Sequence, residues 1–217
     1  MLEAVVFDFD GVIADTPKYY FKYMKQYLAS VHGGIADDDI KDLLGHTFAE
    51  KFEHLNKKYS LSLSRGHFVE TTSEQMRKEL ESSAKANPEL SILLLELHSR
   101  DVCLAIASGN SRKNINFFVE KFGFGEYFSK IVCIDDVSNP KPHPEVYEKA
   151  VRALGVNPNC SVAIEDTPIG IAAAIGAGMR AVAIPNDLTR SLDFSAASLM
   201  VKNFSELNYG VFAGLVK

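Results

Sequence analysis

The feature that most constrains this chain is a set of short, nearly continuous apolar segments. Residues 2–7 (LEAVVF) are the first, and residues 102–107 (VCLAIA), 130–134 (KIVCI), 161–164 (SVAI), 180–184 (RAVAI) and 199–201 (LMV) follow. A strand with one wet face alternates apolar and polar residues; a strand apolar on both faces belongs in a parallel sheet covered on both sides. Parallel neighbours need crossover connections, and helix patterns lie between the segments. Ile115, Phe118, Val119 and Phe122 recur at helical spacing before Gly123, as do Val146, Tyr147, Ala150, Val151 and Leu154, with Pro144 ahead and Gly155 behind. The alternation predicts an α/β fold, a Rossmann-like parallel sheet with helices on both faces.

One interval breaks the rhythm. Residues 15–84 contain no good strand candidate, yet Phe21, Met24, Leu28 and Val31 form one helical stripe, and Phe48, Phe52, Leu55 and Tyr59 another. Asp37-Asp38-Asp39 offers a cap and first-turn charge for a short helix running toward Leu44. A crossover does not need so much chain. The expected organisation is a core from residues 1–14 and 85–217, with a helical subdomain, 15–84, inserted after the first strand.

Composition narrows the partners. The 217 residues carry a formal net charge of −5, which argues against a nucleic-acid or anionic-membrane footprint. No apolar run reaches the roughly 18 residues a membrane span requires, and Met1 leads into a strand, not a signal peptide. Cys103, Cys133 and Cys160 are odd in number and set in apolar surroundings, as in a reduced, cytoplasmic protein. A monomer or weak homo-oligomer is expected.

Four strand ends carry chemistry. In Val5-Val6-Phe7-Asp8-Phe9-Asp10-Gly11-Val12, Asp8 and Asp10 point to one side of an extended chain and the aromatics to the other. Two acids at the end of a buried strand call for a partner, and a hard cation suits oxygen ligands. Ala107-Ser108-Gly109-Asn110 ends a strand and opens a helix, placing a hydroxyl and free backbone N–H groups where a phosphate binds; taken singly, helix capping explains Ser108 or Asn110 better. In Asn139-Pro140-Lys141-Pro142-His143-Pro144-Glu145, prolines frame Lys141 and restrict where its ammonium points, whereas His143 reads as a loop or capping residue. Ile164-Glu165-Asp166-Thr167-Pro168-Ile169-Gly170 again delivers two acids to a strand end, with Thr167 and Pro168 suited to starting a helix.

The order DFDGV, ASGN, NPKP, IEDTPIG resembles the four-motif signature of the haloacid dehalogenase superfamily, specifically its aspartate-nucleophile phosphatases. The insertion is similar to the helical cap of the beta-phosphoglucomutase-like and phosphoglycolate-phosphatase-like branch. The resemblance spans nearly the whole chain. It implies Mg²⁺-dependent hydrolysis of a small phosphorylated metabolite, a sugar phosphate or phosphoglycolate-like phosphomonoester. Asp8 would be the nucleophile that becomes an aspartyl-phosphate. Asp10 would protonate the leaving oxygen and later activate water. Its backbone carbonyl and the Asp8 and Asp166 carboxylates would hold Mg²⁺, with Glu165 a ligand through water or a support behind them. Ser108, the amides around Gly109 and Asn110, and Lys141 would bind the phosphoryl oxygens. Thr16 and His46 would meet substrate from the cap.

Electrostatics explains why so many parts are needed. Unit charges about 4 Å apart interact by roughly 4 kcal/mol at an effective dielectric near 20. A phosphate dianion nearing four carboxylates meets several such repulsions, and the metal and Lys141 must offset them before attack.

Two other readings compete. A beta-phosphoglucomutase-type mutase shares the stretch from Asp8 to Thr16, but the cap histidine and arginine of that group are matched here by Tyr20 and Phe48. An aspartate-phosphorylated receiver module combines similar groups without turnover, but it is shorter and lacks both the insertion and the second acid. A dehalogenase is disfavoured because Asp10 is present, and no G-x-G-x-x-G of a dinucleotide-binding domain follows the first strand.

Overall fold

A computed structural model describes residues 1–34, 43 and 48–216, with side chains from Lys51 onward in the last stretch. The six apolar segments form one sheet: β1 (Ala4–Phe7), β2 (Cys103–Ala107), β3 (Lys130–Val132), β4 (Ser161–Glu165), β5 (Arg180–Ala183) and β6 (Leu199–Met200). Their spatial order is β3-β2-β1-β4-β5-β6 and every pairing is parallel. The chain winds outward one way from β1 to β3, then crosses back to β4 and winds the other way. The topological switch therefore lies between β1 and β4, where open parallel sheets bind ligands.

The inner strands are buried on both faces. On one face Val6, Ala105, Ala107, Ala163, Ala181 and Ala183 join a core with α6 (Glu145–Leu154) and α7 (Pro168–Gly176). Small residues there let the helices lie close to the sheet, and Val146, Tyr147, Ile171 and Phe194 fill the layer. The alternate residues Val5, Phe7, Leu104, Ile106, Val162, Ile164 and Val182 are equally buried. Both expected helical stripes of this unit form. α5 (Arg112–Phe122) stops at Gly123 and α6 at Gly155, each glycine in the left-handed conformation that closes a helix. Thr167 caps α7 by accepting from the Gly170 N–H, and Pro168 takes the first position.

The chain divides into two compact units, residues 1–14 with 85–217, and residues 15–84. Within the second, α1 (Pro17–His32), α2 (Phe48–Lys58) and α3 (Arg65–Ser83) surround a core of Met24, Leu28, Leu43, Phe52, Leu55 and Phe68. Val31 does not complete the first stripe: it is 48% exposed, one position before the helix ends at His32 and Gly33. The Asp37–Asp39 cap, Leu44 and the Phe48 side chain lie outside the described residues. Two further helices among the described residues, α4 (Pro88–His98) and α8 (Tyr209–Leu215), belong to the first unit.

Candidate active site

Each of the four motifs occupies the C-terminal edge of the sheet. Asp8 follows β1, Ser108 follows β2, Lys141 sits in the loop after β3, and Glu165 and Asp166 end β4. β1 lies between β2 and β4, so the first, second and fourth motifs are neighbours by topology. Backbone pairing holds them in place: the Asp8 N–H donates to the Ile164 carbonyl at 2.9 Å, and the Ser108 N–H to that of Val132 at 3.0 Å.

Lys141 is the electrostatic centre. Its Nζ lies 2.6 Å from Asp8 Oδ1 and 2.5 Å from Glu165 Oε1, and it donates to the Ala107 carbonyl at 3.0 Å. The Tyr147 hydroxyl is 3.3 Å from the same nitrogen and donates to Glu165 Oε1 at 2.6 Å. Lys141, Asp8 and Glu165 are all buried, so this ammonium meets its charge partners inside the protein. Burial works against the cation, but Asp8 and Glu165 outweigh it and hold the ammonium above its ordinary range.

The carboxylates outnumber that cation. Burial lifts the Asp8 carboxyl from an ordinary 3.8 to about 8; Lys141 opposes the shift, and Glu165 and Asp10 add to it. Asp166 is also pushed well above the usual carboxylate range, first by burial and then by the charges of Asp8, Glu165 and Asp10. One carboxylate oxygen from each of Asp8, Glu165 and Asp166 lies within 4.8 Å of the others. Three buried acids facing one ammonium make an all-oxygen, electron-rich set, which fits a hard divalent cation. Asp166 Oδ2 is oriented by Asn186, whose Nδ2 donates to it at 2.7 Å. Glu165 is differently engaged, since Oε1 accepts from Lys141 and Tyr147, and Oε2 from Thr167 Oγ1 at 3.3 Å.

Two glycines make room for these acids. At Gly11 the backbone has φ +83°, and a Cβ there would sit 2.0 Å from Asp166 Oδ2. A Cβ at Gly170 would sit 1.9 Å from Glu165 Cδ.

The second motif does not act as a helix cap. Ser111 is the N-cap of α5, and Ser108 Oγ instead accepts from the Asn110 N–H at 3.0 Å. The Asn110 side chain reaches Asp10, its Nδ2 standing 2.9 Å from Oδ1 and 3.0 Å from Oδ2. Gly109 is exposed beside the buried Ser108. Thr16 is fully buried at the start of α1, where its carbonyl accepts from the Tyr19 and Tyr20 N–H groups. His46 lies outside the described residues. Lys51 has its Nζ 5.1 Å from the Phe21 ring centroid.

Four residues at the site escaped the sequence reading in these roles. Tyr147 read only as part of an apolar stripe, although a hydroxyl there, six residues after the framed lysine, was a usable signal. Asn186 carried none, nor did Asn114, whose Nδ2 donates to Asn110 Oδ1 at 2.8 Å. Glu145, on the rim, anchors the Lys141 loop: its carboxylate accepts from the Ser138 N–H at 3.1 Å, the Asn139 N–H at 2.9 Å and Lys149 Nζ at 2.7 Å. The His143 ring accepts from the Glu145 N–H at 3.3 Å, a helix-start contact.

A parallel sheet that gathers acids around a buried ammonium at its switch point defines a class, the α/β enzymes that handle anionic groups at a strand-end carboxylate. Within that class the chain belongs to the haloacid dehalogenase-like hydrolases, whose family profile matches residues 5–184. It is 29% identical over 209 residues to YhcW of Bacillus subtilis, provisionally named a phosphatase, covering 95% of this chain and 94% of that one. It is 28% identical over 181 residues to a phosphorylated carbohydrates phosphatase of Thermotoga maritima, covering 83% of this chain and 84% of that one. Among solved structures, a mutant of CbbY from Rhodobacter sphaeroides in complex with xylulose-(1,5)bisphosphate superposes with a TM-score of 0.87 at 26% identity, covering 95% of this chain and 96% of that one. The expected superfamily and α/β fold agree with these findings.

Proposed function

We propose that this chain is a Mg²⁺-dependent phosphatase that hydrolyses a small phosphomonoester, a sugar phosphate in the first instance, through an aspartyl-phosphate on Asp8. The observation that carries the reading is the buried Asp8–Lys141 pair, at 2.6 Å, beside Glu165 and Asp166. A solvated acid would be a weak nucleophile surrounded by water; this one is buried, and Lys141 and a bound divalent cation would favour the ionised form that attacks and suit the phosphoryl oxygens as well. The relatives' names supply the substrate class: one is a phosphatase of phosphorylated carbohydrates, another structure holds a sugar bisphosphate.

In this mechanism Asp8 attacks phosphorus as the bond to the leaving oxygen breaks, and Asp10 gives that oxygen its proton. Asp10 then takes a proton from water, whose oxygen attacks phosphorus; the bond to Asp8 breaks and inorganic phosphate is released. Ser108 and the backbone around Gly109 bind the phosphoryl oxygens, and Lys141 offsets charge on them and on Asp8. Asp8, Asp166 and the Asp10 carbonyl would hold Mg²⁺, with Glu165 behind them, and the bound ion supplies positive charge against the phosphoryl group. Thr16 and His46 are proposed as cap contacts on the resemblance alone. The three cysteines are free, which supports a reducing compartment such as the cytoplasm.

The test is a phosphate-release screen over sugar monophosphates, sugar bisphosphates and phosphoglycolate, with Mg²⁺ and with EDTA. Mg²⁺-dependent release from one or more monophosphates is expected, and Asp8→Asn should abolish it. Isomerisation of a sugar phosphate without net release, or release unaffected by Asp8→Asn, would overturn the reading.

A further inference from the structure

We propose that Asn110 and Asn114 form a relay that positions the Asp10 carboxylate, so that the Asn110 side chain serves proton transfer and does not bind phosphate. The relay rests on the phosphatase reading above and deepens it. Asn110 is buried and held on every side. Its N–H donates to Ser108 Oγ at 3.0 Å, and its carbonyl accepts from the Ile134 N–H at 3.2 Å. Its side-chain Oδ1 accepts twice at 2.8 Å, from the Ser111 N–H and from Asn114 Nδ2. Asn114, 1% exposed, stands one turn away in the first turn of α5.

An asparagine amide is nearly symmetric in shape but opposite in hydrogen-bonding sense at its two ends. Two donors on Oδ1 decide which end faces Asp10: the NH₂ group, spanning both carboxylate oxygens at 2.9 and 3.0 Å. With a single donor on Oδ1, the amide would be free to turn its oxygen toward Asp10. The half-buried Asp10 side chain immediately precedes a tight turn, where the Gly11 N–H donates to the Ala14 carbonyl, and it has its own rotations to restrain. Proton delivery to a leaving oxygen requires the carboxyl within hydrogen-bond reach and correctly turned. Asn110 and Asn114 are therefore positioning residues that act through Asp10.

Leaving-group dependence separates this role from phosphate binding. p-Nitrophenolate departs with little help, whereas phenolate needs a proton more; the two esters share ring and phosphate. Steady-state kinetics on p-nitrophenyl phosphate and phenyl phosphate are compared for the wild type, Asn110→Ala and Asn114→Ala, with melting curves confirming folding. In Asn110→Ala, kcat/KM for phenyl phosphate, which reports the steps up to departure of the leaving group, should fall at least about tenfold more than for p-nitrophenyl phosphate, part of the usual range for acid–base catalysis. Asn114→Ala, which removes one of the two donors on Asn110 Oδ1, should shift the same ratio in the same direction by about threefold, and it keeps the idea testable if Asn110→Ala does not fold. Equal losses of kcat/KM on both esters, or no loss at all, would overturn the relay. A wild type that releases phosphate neither from these esters nor from any ester of the screen above would overturn the phosphatase reading itself, and the relay with it.

Discussion

At the scale of single residues, the site stores unfavourable charge. Asp8 titrates near 8 in the folded chain against about 3.8 unfolded, because burial opposes its ionised form. Between those values the native state holds the proton that the unfolded state has lost, so stability falls as pH rises from about 4 to about 8. Thermal melts in EDTA across that range should show the decline, and Asp8→Asn should flatten it; an unaltered slope would contradict the assignment. Asp166, pushed up by burial and by three neighbouring carboxylates, makes a complementary case. Asp166→Asn removes a carboxyl whose ionised form the fold disfavours and should raise the metal-free melting temperature by a few degrees, about 1 kcal/mol in a protein this size. The same variant should show a smaller Mg²⁺-induced rise than the wild type, and calorimetric melts with and without Mg²⁺ measure both. The acids themselves were legible in the sequence because each sits at the end of an apolar run. Their partners were not. Tyr147, Asn114 and Asn186 reach the site by tertiary packing from helices or loops whose local pattern says nothing about direction.

At the scale of elements, turns and helix starts decide whether those acids converge. Gly170 lies in the first turn of α7 because any side chain there would occupy the Glu165 carboxylate, 1.9 to 2.1 Å from a built Cβ. Gly170→Ala should displace Glu165 from Lys141, lowering kcat/KM by about a hundredfold and stability by roughly 1–3 kcal/mol. Kinetics and urea unfolding test this, and near-native activity would contradict it. Glu145 fixes the loop that presents Lys141, and its hydrogen bonds from Lys149, Ser138 and Asn139 hold its carboxyl at about 2. A depressed carboxyl contributes stability above its unfolded pKa, near 4.5, and loses it as pH falls through about 2. Glu145→Gln should therefore melt earlier than the wild type at neutral pH, with the difference vanishing near pH 2. Strand positions were the most legible elements, since a run apolar on both faces has few alternatives. Helices with clean stripes, such as α5 and α6, were legible to their stop glycines. Helix α3 was not singled out: Thr72 and Ser73 are buried in it, and polar residues on an inward face blur the periodicity.

At the scale of the whole molecule, the two compact units carry separate cores, and Asp8, Asp10, Ser108, Lys141, Glu165 and Asp166 belong to the one built on the sheet. Fold class was readable because strand and helix alternate from residue 85 onward, and topology then dictates that β1 and β4 are neighbours. Convergence of distant motifs on one sheet edge follows from that order alone. Substrate choice was not readable, because it depends on the shape and placement of side chains that no periodicity encodes. The central claim is that Asp8 captures the phosphoryl group, and its most direct measurement is covalent trapping. Enzyme mixed with radiolabelled substrate and Mg²⁺, quenched in acid and digested, should carry label on the peptide containing Asp8, and none in Asp8→Asn. Phosphate release with no label on that peptide, or label on another residue, would contradict the account.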